Sequence, residues 1–274
     1  MPAAMAALQP RFREEQVGIV TSFIRHHLED SGARGIVLGM SGGVDSSLVA
    51  KLCVDAAGAD KVVGVWSGEG PAKGPDYADA RDWAKALGVE LRRYDIAPLV
   101  AAFQKTLRIR TDERTALGNV KARVRMILLY AIANREQRIV MGTGNKSELA
   151  CGYFTVFGDG GADFLPIGDL YKTQVREMAA SLGVPKRILE KVPTAGLWPG
   201  QTDEDELGIR YEDLDRVLLG IELRLSPEDV ASRTGVDLAT VHRVEAIVAR
   251  SVHKRKTPLI PKVGIRTFGL DWRE

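Results

Sequence analysis

The sequence predicts an α/β fold: a doubly wound parallel sheet with helices on both faces, followed by a helical C-terminal elaboration. Three observations carry that expectation. Short apolar runs at Ile36–Met40, Val62–Trp66, Val89–Tyr94 and Ile139–Gly142 have the length of buried strands. Helical apolar spacing fills the gaps between them, at 45–57, 76–87 and 119–136, and alternating strand and helix argues for a parallel sheet covered on both sides. The turn Ser41-Gly42-Gly43 then joins the first strand directly to the first of these helices.

Each element has a local reason. Val17, Val20, Phe23, Ile24, His27 and Leu28 share one helical face, so a leading helix is expected over about 11–30. In a parallel sheet, ligands sit at the carboxyl ends of the strands. Ser41–Asp45, Trp66–Pro75, Asp95–Pro98 and Thr143–Glu148 are therefore expected on one rim. Leu170–Leu182 reads as a further helix, ended by Gly183 and Pro185. Residues 196–206 are polar and carry Gly and Pro, the pattern of a long mobile loop that orders over a bound ligand. Two or three small helices follow, and the tail from Lys254 to Glu274 has little periodicity. The chain reads as one domain over 1–274.

At 274 residues, 45% hydrophobic and 27% charged, with a net charge of +2, the chain has no electrostatic footprint of a nucleic-acid binder. No apolar run reaches membrane-spanning length. The first ten residues lack a positive leader and read as a frayed terminus rather than a signal peptide. Two cysteines in unrelated settings, Cys53 and Cys151, do not suggest a disulfide scaffold or a zinc site. A soluble cytoplasmic protein is expected.

The chemistry concentrates in a few stretches. Two adjacent glycines at 42–43 let several N–H groups converge in front of a helix N-terminus, where phosphate is attracted by hydrogen bonds and by the macrodipole. Ser41, Ser46 and Ser47 add hydroxyls, and Asp45 can hold Mg²⁺ against the phosphates. The Gly-Lys-Ser/Thr ending of the Walker loop is missing. Thr143 can contact a nucleotide, and Glu148 can add a second carboxylate for the metal, a count that suits magnesium. Locally, Glu148 reads equally as the partner of a helix-capping residue. Lys121, Arg123 and Arg125 open a helix unfavourably for its dipole; either an anion lies near or they form a solvated face. Gly158-Asp-Gly-Gly-Ala-Asp163 lets a backbone approach a ligand, or is a plain tight turn. Lys172, Thr194, His253 and Lys254 offer polar or cationic groups of the kind that neutralise a triphosphate, although each alone also suits a surface.

Ser-Gly-Gly-Val-Asp-Ser (41–46) resembles the PP-loop of the N-type ATP pyrophosphatases, which cut ATP between its α and β phosphates. With Lys121-Ala-Arg123-x-Arg-Met, Gly142-Thr-Gly-Asn-Lys-Ser-Glu148, Gly152-Tyr-Phe-Thr, Gly158–Asp163, Pro193-Thr-Ala, Thr202-Asp-Glu-x-Glu-Leu-Gly208 and His253-Lys-Arg in order, the chain resembles the ammonia-dependent NAD⁺ synthetases over roughly 12–272. The resemblance implies the adenine-nucleotide-hydrolase-like fold, a homodimer with the dinucleotide site near the subunit interface, and Mg²⁺ with ATP as co-substrate. It implies ATP contacts from Gly39, Met40, Ser41, Gly42, Gly43, Val44, Asp45, Ser46, Thr143, Lys172 and Thr194, with Asp45 and Lys172 the catalytic pair. Mg²⁺ would sit on Asp45 and Glu148. Deamido-NAD⁺ would meet Arg123, the position of Val156, Asp163, His253 and Lys254. The implied reaction joins the nicotinate carboxylate to AMP, with loss of pyrophosphate, before ammonia displaces AMP.

Two positions depart from the family pattern: Val156 stands where a lysine is usual, and Gly196 where an aspartate is common. The length leaves no room for the amidase domain of glutamine-dependent relatives. A thiolating or GMP-synthetase-like ligase would want paired cysteines or a basic RNA-binding face, neither of which the sequence carries. The alternative of another class is a regulatory protein that holds ATP without turning it over.

Overall fold

The computed structural model describes residues 8–265 apart from 257 and 259. The start, expected to fray, lies largely outside the described residues, as does much of the tail beyond 256. The elements run α1 (Glu15–Asp30), β1 (Gly35–Gly39), α2 (Val44–Ala57), β2 (Val62–Gly68), α3 (Pro75–Leu87), β3 (Glu90–Asp95), α4 (Ala97–Leu107), α5 (Arg114–Glu136) and β4 (Arg138–Met141). After these come α6 (Lys146–Cys151), α7 (Lys172–Ser181), α8 (Lys186–Leu189), α9 (Asp203–Leu207), α10 (Tyr211–Glu222), α11 (Pro227–Thr234), α12 (Leu238–Arg250) and α13 (Val252–Arg255).

The four strands form one parallel sheet in the order β3-β2-β1-β4. The chain steps outward from β1 to β3, then returns through α4 and α5 to place β4 on the other side of β1. The strand order therefore reverses between β1 and β4, the place where such sheets open a crevice. Side chains alternate along β1, as a pleated strand requires. Ile36 and Leu38 pack with Leu48, Met178 and others from α1, α2 and α7. Val37 packs with Val63, Val65 and Val140 against Ile132 and Ala133 of α5. Both faces are covered, so the strands read as unbroken apolar runs. A second core of Tyr211, Leu214, Val217, Val230, Val241 and Val244 holds the C-terminal helices together and reaches Cys151 and Tyr171.

The structure corrects several expectations. The run at Val89–Tyr94 is not a buried strand: β3 is the sheet edge and its residues are mostly exposed. Arg92, paired with Glu90 and Glu136, puts charge on that edge, which discourages pairing with another chain. Residues 97–107 form α4, unforeseen from the sequence, and α5 begins at Arg114 rather than 119. Tyr153–Phe157, a run of aromatic and β-branched residues, forms a series of turns rather than a strand: Gly158 and Gly160 both donate to the Thr155 carbonyl, at 2.9 and 3.2 Å, and Phe157 has a φ of 58°. The loop expected over 196–206 gives way at Asp203 to α9, because Thr202 caps it by accepting from Asp205 N at 3.1 Å. Four helices rather than two or three follow, and Lys254 lies in α13 rather than in an aperiodic tail.

Candidate active site

A cavity of about 950 Å³ opens at the carboxyl ends of β1, β2 and β4, beside the reversal of strand order. Its floor is the turn from β1 into α2. Ser46 Oγ donates to the Gly43 carbonyl at 3.1 Å and accepts from Ser41 N at 3.2 Å, so the turn is tied back onto the first helical turn. Gly42 has a φ of +81°, and a Cβ there would lie 2.2 Å from the Asp76 carbonyl, so only glycine fits. Lys191 Nζ donates to the Gly42 carbonyl at 3.0 Å and to Asp76 at 2.7 Å. Because C=O and N–H point opposite ways across a trans peptide, holding that carbonyl fixes the direction of the Gly43 N–H. The N-cap of α2 is Gly43, with no side-chain cap, which leaves its first-turn N–H groups for an anion.

Beside this floor lies a buried charge cluster. Lys172, at the start of α7 and 2% exposed, sends Nζ to Asp45 Oδ2 at 2.5 Å and to Glu148 Oε1 at 3.5 Å. Asn145, fully buried, ties the two acids together: its Nδ2 donates to Asp45 Oδ1 at 2.9 Å and its Oδ1 accepts from Glu148 N at 3.0 Å. Glu148 Oε2 in turn accepts from Asn145 N at 3.1 Å. Glu148 is thus both a capping-box residue and a member of the charge cluster. Loss of water around its carboxyl pushes it up to about 8, with Asp45 adding to the rise and Lys172 opposing it. Burial works against the Lys172 ammonium, but Asp45 and Glu148 together outweigh that and hold it above its ordinary range.

The cluster is supported from the C-terminal helices. Asp215 on α10, fully buried, accepts from Ser147 Oγ at 2.5 Å and from Thr173 N at 2.8 Å, while Ser147 Oγ accepts from Lys172 N at 2.9 Å. One carboxylate therefore anchors the starts of both α6 and α7, the helices that carry Glu148 and Lys172. Asp203, 4% exposed, lines the cavity with one oxygen on Tyr211 Oη at 3.1 Å and Oδ1 unpartnered. Burial raises its carboxyl above the usual range. Asp203 falls in the Thr202–Gly208 motif, whereas no spacing in the sequence marks Asp215.

Of the residues expected to contact ATP, Gly39, Met40, Ser41, Gly43, Val44, Asp45, Ser46, Thr143, Lys172 and Thr194 all line this one cavity, and Gly42 sits behind the turn. Thr194 precedes a loop whose residues 195–198 also line the cavity. Lys121 Nζ donates to the Leu197 carbonyl at 2.8 Å and pairs with Glu69 at 2.7 Å, and Leu197 N donates to Gln201 at 2.8 Å.

The residues expected to meet the dinucleotide do not all line this cavity, although Arg123 and Val156 touch each other. Of these, only Lys254 lines the cavity, with Nζ on the carbonyls of Gly152 and Phe154 at 2.5 and 2.6 Å. Arg123 is exposed and donates to the Val156 carbonyl at 3.3 Å. Asp163 accepts from Tyr130 Oη at 2.9 Å and from Val140 N at 2.7 Å, closing the free edge of β4. His253 is exposed beside the Arg250 carbonyl at 3.0 Å.

Arg125, one of the three cations noted in the sequence but given no role there, lines the cavity, and its Nε donates to the Ser67 carbonyl at 3.1 Å. The helical period held the signal. Lys121 and Arg125 stand four apart and share a face of α5, whereas Arg123 is turned away from it.

The sequence profile of the NAD synthase family matches residues 16–258. An NH₃-dependent NAD⁺ synthetase from Methanococcoides burtonii is 47% identical over 244 residues, covering 88% of this chain and 92% of that protein. Among solved structures, an NMN synthetase from Francisella tularensis superposes with a TM-score of 0.81 at 36% identity, covering 92% of this chain and all of that one. An NH₃-dependent NAD synthetase from Campylobacter jejuni does so with 0.77 at 29% identity, covering 91% and 98%.

Proposed function

The chain belongs to the NAD synthase family, and from that premise we propose that it amidates deamido-NAD⁺ with ammonia at the expense of ATP, giving NAD⁺, AMP and pyrophosphate. The observation that carries the proposal is the buried Lys172–Asp45–Glu148 cluster set against a glycine turn and helix N-terminus in one cavity. A carboxylate oxygen of the nicotinate ring attacks the α-phosphorus of ATP, and the bond to the β-phosphate oxygen breaks with its electron pair leaving on pyrophosphate. Ammonia then adds to the acyl carbon, AMP departs, and a proton is lost from nitrogen. No protein nucleophile is needed. The chain supplies position and charge: N–H groups of the Gly42–Ser46 turn and the Lys172 ammonium cradle the departing phosphates, with Thr143 and Thr194 at the rim.

The donor set also suits Mg²⁺. Asp45 and Glu148 face one point with a single ammonium between them, and a carboxyl held up to about 8 by the loss of water is one that a nearby cation would favour ionised. They would hold the ion, which when bound draws charge from the phosphate oxygens.

Both cysteines are buried free thiols, Cys53 pushed well above its ordinary range and Cys151 to about 12, so neither offers a thiolate to release ammonia from glutamine. Free thiols also support the proposed cytoplasmic setting. Among the described residues, no helix is long and apolar enough to cross a membrane. We further propose that the chain acts as a single-domain subunit of a homodimer. On α4, Leu99, Phe103 and Leu107 make an exposed apolar stripe, and Ile127 on the neighbouring α5 is 52% exposed. A partner there would meet Arg123, one turn before Ile127 on α5, and through it Val156, whose carbonyl Arg123 holds.

The test is release of AMP and pyrophosphate from ATP with deamido-NAD⁺, with its mononucleotide counterpart, or with neither, each with and without ammonium. Sustained AMP release that needs ammonium and prefers the dinucleotide is expected. Preference for the mononucleotide would move the chain to the activity in the NMN synthetase's name. No release with either acid would overturn the proposal.

A further inference from the structure

The cavity contains four cationic side chains among its described lining residues: Arg125, Lys172, Lys191 and Lys254. Three are committed. Lys172 is bound to Asp45, Lys191 to the Gly42 carbonyl, Asp76 and Asp79, and Lys254 to two backbone carbonyls. Arg125 spends only Nε, on the Ser67 carbonyl at 3.1 Å. Glu69 and Asp159 lie near enough to favour its charge, yet neither forms an ion pair with it. The Ser67 bond fixes the plane of the guanidinium, and its outer edge, Nη1 and Nη2, is left to the cavity.

Its position narrows what that edge can receive. Lys172 and the glycine turn belong to α7 and α2, on one face of the sheet, while Arg125 belongs to α5 on the other. Polyphosphate is already served from the first face. The flanking Glu69 and Asp159 make the second face unwelcoming to a multiply charged group but tolerable for a monoanion. A planar fork with two parallel N–H groups matches a carboxylate, which accepts it bidentately.

We infer that Arg125 binds the carboxylate of the acid substrate and presents it to the α-phosphate held from the opposite face. The inference rests on the amidation reading and adds the residue that recognises the acid. It also accounts for product release, because the amide carries no charge for the fork to hold.

NAD⁺ and deamido-NAD⁺ share every phosphate and differ only in amide against carboxylate, so their relative binding isolates this contact. The experiment compares the wild-type protein with Arg125→Met and Arg125→Lys, measuring Kd for both dinucleotides in the presence of a non-hydrolysable ATP analogue, and Kd for that analogue alone. In Arg125→Met the preference for the acid over the amide should fall at least tenfold, about 1.4 kcal/mol. The analogue's own affinity should stay within twofold, and Arg125→Lys should recover part of the preference. Equal weakening of both dinucleotides, or a loss confined to the ATP analogue, would overturn the inference. Arg125→Lys keeps the guanidinium's charge on a similar stem and serves if Arg125→Met does not fold. A wild-type protein that releases no AMP with the acid would instead remove the amidation reading, and the inference with it, a result legible before any variant is made.

Discussion

Replacing Lys172 by methionine keeps the length of the side chain and removes the one ammonium between Asp45 and Glu148. Lys172 is 2% exposed, and its partners' side chains are 17% and 18% exposed, so solvent does little to screen the loss. Removing one member of a buried ion pair costs about 3–5 kcal/mol. At about 2–4 °C per kcal/mol for a chain of this size, the unfolding midpoint should fall by roughly 6–20 °C at pH 8. The deficit should shrink in acid, and the sign follows from the Glu148 carboxyl. Glu148 sits at about 8 in the folded protein, against about 4.3 unfolded. A carboxyl raised on folding contributes its stability in full below the unfolded value and loses it as pH climbs through the folded one. In the wild type that loss runs from about 4.3 to about 8. Without Lys172 the Glu148 carboxyl rises further, so the loss extends to higher pH, while at pH 5 a protonated Glu148 no longer needs the ammonium. Thermal unfolding of both proteins without nucleotide, from pH 5 to 9, reads this directly. Equal midpoints at pH 8, or parallel pH dependences, would refute the reasoning. Activity should fall in addition by about 10²–10³, the usual cost of removing one group that stabilises developing charge.

Gly42→Ala forces a Cβ to within 2.2 Å of the Asp76 carbonyl at a φ of +81° and should raise KM for ATP at least tenfold; an unchanged KM would detach the turn from nucleotide binding. Asp215→Asn can keep its oxygen on Thr173 N–H only by turning its amide toward Ser147, at a cost of about 1.5–3 kcal/mol for a charge-assisted bond. Its kcat should drop severalfold more than its KM for ATP changes, and a purely thermal effect with wild-type kcat would count against its role in placing Lys172. Phe103→Glu puts charge in the apolar stripe of α4; sedimentation should then show a monomer with weakened dinucleotide binding, and an intact dimer would place the interface elsewhere.

The strand and helix order was readable because alternation and helical spacing are local, and because strands buried on both faces leave continuous apolar runs. Ser41–Ser46 was readable for the same reason, being a strand, turn and helix start contiguous in the chain. Where a segment's environment is set from afar, the sequence misleads. β3 looks like its neighbours and lies at the edge, and α4 carries an apolar stripe on its open side. The cluster around Lys172 joins residues 127 and 100 positions apart through Asp45, and Asp215 meets Ser147 across 68. The sheet order and the packing of the C-terminal helices bring these together, and no periodicity encodes either.

Val156 shows how a departure from a motif can rest on the backbone. Read as a strand residue, its side chain would decide what the position contributes, and a valine in place of a lysine would be a lost charge. The structure bends 153–160 into turns, with Thr155 N on Asp159 and two glycine N–H groups on the Thr155 carbonyl. Arg123 then meets Val156 through the carbonyl oxygen, an acceptor that every residue type supplies. The turn is held by Asp159, Gly158 and Gly160, and the positive φ within it falls on Phe157 rather than on Val156. The contact between Arg123 and this turn is therefore indifferent to the side chain at 156.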